Sequence, residues 1–175
     1  HVFGIDDLVR FNRLQDAALP LYGNRQTLEE VRTFFAYVFR PPHAGGYRPS
    51  LELRTVTGPF VVRGVEVVPL PVFHGQVPVL GYRVGPVAYV TDVNRIPAET
   101  AALMGGLELL VLDALRPQPH PTHFAIDEAM EVVEQLAPRR ALFTHMSHKS
   151  DHEAVSRSLP RNVSLAWDGL RVAVG

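Results

Sequence analysis

The spacing of apolar residues changes along this chain, and each spacing predicts a different kind of element. In the first part, apolar residues recur at the three- and four-residue intervals of amphipathic helices. This pattern predicts helices over Val2–Arg13 and Thr27–Phe39, with a short strand at Ala18–Tyr22 between them. The second helix is expected to begin at Thr27, because Thr27 and Glu30 have the spacing of a capping box.

In the middle of the chain, apolar and β-branched residues alternate or run together, which is typical of strands. Glycine and proline pairs mark turns between these runs. The predicted strands are Leu51–Val56, Phe60–Val62, Val65–Val72, Val79–Val84 and Val87–Thr91.

In the last part, apolar strands alternate with amphipathic helices. The predicted elements are the helix Pro97–Met104, the strand Leu107–Leu112, the helix Phe124–Leu136, the strand Ala141–Thr144, the helix Asp151–Leu159 and a closing hairpin over Val163–Val174. Strands followed by alternating strands and helices indicate a layered α/β fold. Trp167 and the aromatic residues Phe34, Phe35 and Phe39 are expected in the core.

Composition narrows the class of protein further. The chain has 175 residues, of which 46% are hydrophobic and 20% charged, so we expect one globular domain over residues 1–175. There is no cysteine, which excludes thiolate metal sites, disulfides and thiol catalysis. The formal net charge is -1 without a basic run, which disfavours a nucleic-acid polymer as partner. No apolar stretch is long enough to span a membrane, so a cytoplasmic protein is expected, and a homodimer is left open.

Histidine or aspartate follows apolar residues at four places where strands or loops end. They are Phe73-His74-Gly75, Tyr89-Val90-Thr91-Asp92, His120-Pro121-Thr122-His123 and Thr144-His145-Met146-Ser147-His148. Imidazole and carboxylate are the ligands that hydrolytic zinc, manganese or iron sites use. A single histidine at a strand end is more often structural, but the same placement on separate strands favours a metal site.

The ordered set of motifs resembles the metallo-β-lactamase superfamily. His74-Gly, Tyr-Val-Thr-Asp92 and Thr-His145-Met-Ser-His148 are similar to its later motifs. The opening His1-Val-Phe-Gly-Ile-Asp-Asp-Leu is similar to the stretch that begins at the last histidine of its Thr-His-x-His-x-Asp-His signature. The segment Pro69–His74, the histidine before a helix at His123 and the closing Asp-Gly resemble the branch of phosphoribosyl cyclic phosphate phosphodiesterases.

The resemblance implies an αββα sandwich whose N-terminal strands and first metal motif are missing from this chain. It also implies two divalent metal ions, zinc or manganese, with iron a further option. His74 would ligate the first metal, His1 and His145 the second, and Asp92 would bridge both. His123 would be a catalytic residue that is not a ligand and that contacts the phosphate or protonates the leaving alkoxide.

The resemblance also implies three further ligands in a His-x-His-x-Asp segment ahead of His1. If this were the entire polypeptide, the first metal would keep only His74 and Asp92, and we would expect weak or no activity. With the segment present, two adjacent cations lower the pKa of a bridging water and make hydroxide available near neutral pH. The leading hypothesis is therefore a hydrolase that cleaves a small cyclic or sugar phosphodiester.

Two alternatives remain open from the sequence. A protein with the same fold and metals could instead hydrolyse another bond, namely a thioester, a lactam or an RNA phosphodiester. The chain could instead be a non-catalytic remnant of the fold that is used for binding, because the first metal motif is not in it.

Other polar residues keep two interpretations each. Asp113 follows a buried strand and could orient a ligand histidine or cap a turn. His148 could support a ligand or lie exposed in a loop. Surface or capping roles are expected for His43, His120 and His152.

Overall fold

The computed structural model describes residues 2–40 and 48–175. The chain divides into two compact units, residues 1–57 and residues 58–175, and each is described by itself. Whether they form one domain, as expected from the length, stays a prediction. In the part of the chain that the structure describes, no helix is long and apolar enough to cross a membrane.

The first unit combines short helices with a small parallel sheet. A 3-10 helix at Phe3–Leu8 leads into α1 (Val9–Gln15), followed by β1 (Leu19–Gly23), α2 (Arg25–Phe34), a 3-10 turn at Ala36–Phe39 and β2 (Leu51–Thr55). Strands β1 and β2 are parallel, with Leu19 opposite Leu51. The buried core of this unit includes a cluster of Ile5, Val31, Phe35 and Val38.

The predicted start and end of the second helix are wrong. Asn24 is the N-cap, and its side-chain oxygen accepts a hydrogen bond from the backbone N–H of Thr27 at 2.8 Å. Asparagine is among the best N-cap residues, and it directly follows the last residue of β1, so the helix begins before Thr27. Glu30 accepts a hydrogen bond from Gln26 on the helix surface, and the helix ends at Phe34, whose side chain is exposed rather than buried.

The second unit contains a seven-stranded sheet and three helices. Its strands are β3 (Phe60–Val62), β4 (Val65–His74), β5 (Val77–Val84), β6 (Val87–Val90), β7 (Leu109–Asp113), β8 (Arg140–Thr144) and β9 (Val163–Leu165), and they lie side by side in that order. The helices are α3 (Ala98–Ala102), α4 (Ile126–Leu136) and α5 (His152–Ser158). These elements confirm the predicted α/β class.

Strand direction decides which residues meet at one edge of this sheet. Strands β6, β7, β8 and β9 are parallel to one another, while β4 and β6 are both antiparallel to β5. Strand β4 therefore runs in the same direction as β6, β7 and β8. The carboxyl ends of these four strands share one edge of the sheet, which we call the carboxyl edge.

The core of the second unit fixes the central strands in place. Leu110, Leu112 and Phe143 on β7 and β8 are fully buried, and α4 packs against β7. Near-continuous apolar runs are expected of parallel strands that are covered on both faces.

The predicted closing hairpin is wrong. Val163–Leu165 pairs with β8 in parallel, and residues 166–175 form no strand. The turn at Gly169 is present, closed by the N–H of Leu170 on the carbonyl of Trp167, but no strand returns from it. Trp167 lies in this segment with 57% of its surface exposed, so its predicted place in the core is wrong as well.

Candidate metal centre

Four strand ends bring histidine and aspartate to the carboxyl edge. His74 is the last residue of β4, and Asp113 is the last residue of β7. Asp92 follows β6 by two residues, and His145 directly follows β8. Because these strands run in the same direction, residues far apart in the sequence meet at this edge.

The ligand atoms at this edge are close enough to share a cation. The Nε2 atom of His145 lies 3.4 Å from Oδ1 of Asp92. His74, Asp92 and His123 each offer one ligand atom, and the three atoms lie within 4.8 Å of one another. Tetrahedral nitrogen and oxygen ligands of one zinc ion stand about 3.4 Å apart, and the distance between His145 and Asp92 matches that spacing.

The hydrogen bond of His74 decides which of its ring nitrogens is free. Its Nδ1 lies 2.8 Å from the carbonyl oxygen of Thr122. A carbonyl only accepts hydrogen bonds, so Nδ1 carries the proton and Nε2 of the neutral ring keeps its lone pair. Metal-binding histidines are oriented in the same way, with one nitrogen donating to a protein oxygen and the other bound to the ion.

The turn after His74 packs tightly against the segment that contains Thr122. Gly75 has a φ of +63°, and a Cβ there would lie 3.0 Å from Cγ2 of Thr122. The N–H of Gly75 donates to Oδ1 of Asn94 at 2.8 Å, and Nδ2 of Asn94 donates to the carbonyl of Pro121 at 3.0 Å. Asn94 therefore links the end of β4 to the loop that precedes His123.

Asp92 and His145 both have a left-handed backbone, with φ values of 55° and 61°. Residues other than glycine adopt this conformation uncommonly, and Asn, Asp and His do so more often than most. Such strain collects at functional sites, where the surrounding structure enforces it. Here it allows the chain to turn sharply as soon as β6 and β8 reach the carboxyl edge.

His123 and Asp113 form a buried pair beside these ligands. Nδ1 of His123 donates to Oδ2 of Asp113 at 2.8 Å, and the N–H of Val93 donates to the same oxygen at 3.3 Å. Asp113 is fully buried, and its Oδ1 has no hydrogen-bond partner among the described residues. Burial raises the pKa of Asp113 to about 6, and burial, together with nearby His74, lowers the pKa of His123.

The ring of His123 is surrounded by three other histidines. Its centroid lies 4.6 Å from that of His74, 5.0 Å from that of His145 and 5.1 Å from that of His120. Asp113, His123 and His145 also form a group whose ligand atoms lie within 4.8 Å of one another. Within this second group, Asp113 accepts the Nδ1 proton of His123, which occupies that nitrogen of the ring.

The structure brings together four of the five residues singled out from the sequence: His74, Asp92, His123 and His145. Their roles as ligands or catalyst stay predictions. His1 lies outside the described residues, and so does His43. Asp113 contacts His123, which is not one of the predicted ligands, while His148 and His152 are exposed.

Sequence reasoning missed three residues at this site. A surface or capping role was expected for His120, and its contact with the ring of His123 was not predicted. Its position three residues before His123 was the available signal. Thr122 and Asn94 make contacts between distant segments, and nothing in their local sequence indicated those contacts.

Solved structures similar to this chain define the class of fold. A new diphosphatase from the PhnP family is 35% identical, with a TM-score of 0.86 over 97% of this chain and 65% of that one. The metallo-beta-lactamase fold protein YhfI from Bacillus subtilis is 17% identical, with a TM-score of 0.74 over 97% of this chain and 71% of that one. The short form of human tRNase Z is 16% identical, with a TM-score of 0.67 over all of this chain and 75% of that one. The fold is that of the metallo-β-lactamases, whose members include metal-dependent hydrolases.

The family is established by a direct match. A family model described as "Beta-lactamase superfamily domain" matches residues 1–146, and the chain belongs to that superfamily. This confirms the resemblance inferred from the motifs around His74, Asp92 and His145.

A curated relative is much longer than this chain. A protein of Porphyromonas gingivalis named octanoyltransferase is 33% identical over 181 residues, which is 99% of this chain and 36% of that protein. The chain thus spans about a third of the curated relative and about two thirds of the similar diphosphatase.

Proposed function

We propose that this protein is a metal-dependent phosphodiesterase that cleaves a small cyclic or sugar phosphodiester. The observation that carries the proposal is the buried His123–Asp113 pair, whose histidine ring lies 4.6 Å from that of His74 and 5.0 Å from that of His145. A buried histidine backed by a carboxylate suits proton transfer to a departing oxygen. The similarity to a PhnP-family diphosphatase supports the same bond type.

His74, Asp92 and His145 would hold the divalent cation, and the residues fit that role. His74 keeps a lone pair on Nε2, and Asp92 places a carboxylate oxygen 3.4 Å from Nε2 of His145. Divalent ions bound there would lower the pKa of water and neutralise a phosphodiester anion. Imidazole and carboxylate ligands suit zinc, manganese and iron, and we expect two ions per active protein.

His123 would deliver a proton to the leaving group. Because its Nδ1 donates to Asp113, Nε2 is the nitrogen that exchanges a proton with substrate. The lowered pKa of His123 makes its protonated form a stronger acid toward a departing alkoxide. Asp113, with a pKa of about 6, is ionised at neutral pH and offsets the charge of the protonated ring.

A second candidate is hydrolysis or transfer at an acyl carbonyl. It is favoured by the relative that is named octanoyltransferase, although the match covers 36% of that protein. The same cation and histidine could act on a thioester, so only a comparison of substrates separates the two candidates.

The test of the bond type uses the full-length protein with manganese or zinc. We expect hydrolysis of bis(p-nitrophenyl) phosphate to exceed that of an octanoyl thioester and of a lactam. Activity confined to the thioester would favour the acyl candidate. Absence of phosphodiesterase activity with either metal contradicts the proposal, and less than about one metal per chain would support a non-catalytic remnant.

The test of His123 uses leaving groups of different quality. His123→Ala should lower kcat about 10²- to 10⁴-fold on a ribose cyclic phosphate, whose alkoxide needs a proton. The loss should be far smaller on bis(p-nitrophenyl) phosphate, because nitrophenolate departs without one. Metal content should not change, and His152→Ala, at the exposed first residue of α5, serves as control. Loss of metal from His123→Ala would make His123 a ligand instead.

A further inference from the structure

The residues directly after Asp92 run between two parts of the candidate site. The N–H of Asn94 donates to the carbonyl of Phe73 on β4 at 2.9 Å, and the N–H of Phe124 donates to the carbonyl of Val93 at 2.8 Å. Phe73 directly precedes the candidate ligand at the end of β4, and Phe124 directly follows the candidate proton donor. The backbone of this short segment is therefore bonded both to the strand that ends at the ligand and to the loop that carries the proton donor.

The side chain of Asn94 makes the same connection with the two ends of its amide. Its Oδ1 accepts from the N–H of Gly75 at 2.8 Å, and its Nδ2 donates to the carbonyl of Pro121 at 3.0 Å. These partners fix the orientation of the amide, because a backbone N–H only donates and a carbonyl only accepts. Both polar groups of this half-buried side chain therefore join β4 to the loop before His123.

The carbonyl next to the one that Asn94 holds determines the tautomer of His74. Thr122 follows Pro121, and its carbonyl oxygen accepts from Nδ1 of His74 at 2.8 Å. A neutral imidazole has one proton, so this bond keeps it on Nδ1 and leaves Nε2 free for a cation. A shift of the carbonyl by about 1 Å would break the bond, so the tautomer depends on the position of the loop.

Steric contact limits the loop in only one direction. A Cβ at Gly75 would lie 3.0 Å from Cγ2 of Thr122, so the loop cannot come closer to the end of β4. Such contact does not oppose movement of the loop away from the strand. On its other side Asn94 borders a cavity of about 230 Å³, so packing there does not hold its side chain in place. Its two hydrogen bonds are what oppose that movement.

We propose that Asn94 is a positioning residue that fixes the metal-binding tautomer of His74 by holding the loop of Thr122 in place. The same loop carries His123, so Asn94 also sets the position of the proton donor. The assignment rests on the proposed function and deepens it, because it names a residue that sets metal affinity through a ligand rather than as one. Replacement of residues that orient ligands typically changes metal affinity or activity by about 10- to 100-fold.

The first test measures the tautomer of His74 in the full-length protein. Zinc is removed by chelation, its full rebinding is verified, and ¹⁵N shifts are recorded at about pH 8, where imidazole is neutral. The wild type should have Nδ1 protonated and Nε2 unprotonated. Asn94→Leu, which has nearly the same shape but no donor or acceptor, should show both tautomers. Asn162→Leu, at an exposed asparagine directly before β9, is the matched control and should keep the wild-type tautomer.

The second test measures zinc affinity by competition with a chromophoric chelator. Asn94→Leu should bind zinc about 10- to 100-fold more weakly than wild type. Asn94→Gln, with both amide groups on a longer side chain, should recover part of the affinity. If Asn94→Leu does not fold, Asn94→Ser is too short to bridge both segments and should show the same changes. A wild-type tautomer or wild-type zinc affinity overturns the proposal, even if the variant is less stable in urea, because that pattern indicates a structural role alone.

The position of His123 is tested at saturating zinc with two leaving groups. Asn94→Leu should lower kcat about tenfold on a ribose cyclic phosphate and far less on bis(p-nitrophenyl) phosphate. In the His123→Ala background, the same substitution should lower kcat on the cyclic phosphate by less than about threefold, because two changes that act through one group do not add. Equal losses on both substrates would overturn the link to His123.

The outcomes separate the two proposals. A changed tautomer and weaker zinc binding in Asn94→Leu, in a protein without phosphodiesterase activity, would end the proposed function and leave the Asn94 assignment standing. A wild-type tautomer and zinc affinity in Asn94→Leu, in an active phosphodiesterase, would end the assignment and leave the proposed function standing.

Discussion

The two ends of the seven-stranded sheet differ in the kinds of side chain that its parallel strands bring together. At the carboxyl edge, β4, β6 and β8 end at or just before His74, Asp92 and His145, whose side chains converge. At the opposite end, β7 and β8 begin at Leu109 and Arg140 beside a cavity of about 300 Å³. That cavity is also lined by Arg161, Arg171 and Trp167, and none of its lining residues among those described is a histidine or a carboxylate.

This difference shows that charge alone does not make a site. The arginine-lined end carries more formal charge, yet its residues offer no donor set that suits a divalent ion. At the carboxyl edge, four strands that end in the same direction bring histidine and carboxylate side chains together. Three substitutions test this comparison.

The largest effect is expected from Asp92→Asn at the carboxyl edge. Asparagine tolerates the left-handed backbone at this position, so the fold should remain intact. Loss of the charge should remove bound metal and lower phosphodiesterase kcat/KM by at least about 10³-fold, more than the 10- to 100-fold typical of residues that only support a ligand. Metal analysis measures the bound metal, and steady-state kinetics measure kcat/KM.

The matched control is Asp168→Asn, an exposed carboxylate on the segment after β9. It should leave metal content and rate unchanged. Full metal content in Asp92→Asn would contradict the assignment of Asp92 as a ligand.

An intermediate effect is expected from Asp113→Asn, behind His123. The asparagine oxygen can still accept from Nδ1 of His123, but it no longer offsets the charge of the protonated ring. We expect a 10- to 100-fold loss of kcat with unchanged metal content, the range usual for residues that orient a catalytic or ligand group. A loss of metal with the rate would instead make Asp113 a ligand.

The wild type and Asp113→Asn should also differ in how their stability depends on pH. The pKa of Asp113 is raised from 3.8 to about 6 by burial, so between these values the folded protein binds more protons than the unfolded one. Stability must therefore fall as pH rises from about 4 to 6 and then level off, by about 2 to 3 kcal/mol from this group. In urea unfolding of the metal-free protein, Asp113→Asn should lack this fall. Parallel stability curves for the two proteins would show that burial does not disfavour the Asp113 carboxylate.

The smallest effect is expected from Arg161→Gln at the arginine-lined end. Arg161 is exposed, and no strand end near it contributes a ligand. Rates should stay within about twofold and unfolding free energy within about 0.5 kcal/mol, as is usual for surface substitutions. A tenfold loss of phosphodiesterase activity would show that the chemistry is not confined to the carboxyl edge.

The sequence predicted the strands of the second unit well because their apolar runs end sharply. Leu109–Asp113 and Arg140–Thr144 agree with the predicted strands to within two residues. The same pattern located His74, Asp92 and His145, since each follows such a run. Two antiparallel pairings give β4 the direction of β6, and the α/β alternation that follows gives β7 and β8 the same direction, which brings these residues together.

The sequence could not predict features that depend on distant contacts. The Asp113–His123 pair, the hydrogen bond from His74 to Thr122 and the bridge made by Asn94 all join separate segments. The end of the chain was predicted wrongly because an Asp-Gly pair forms a turn whether or not a strand returns. The local sequence determines the turn, whereas a strand forms only where another strand is available to pair with it.

The left-handed backbone at Asp92 and His145 has a consequence for how such a site persists through evolution. Each of these residues holds a conformation that costs about 1 kcal/mol and that glycine would adopt freely. Replacement of either residue by glycine would therefore relieve this strain, whereas most other residues would increase it. A lineage that no longer needs these two side chains is expected to accept glycine at both positions.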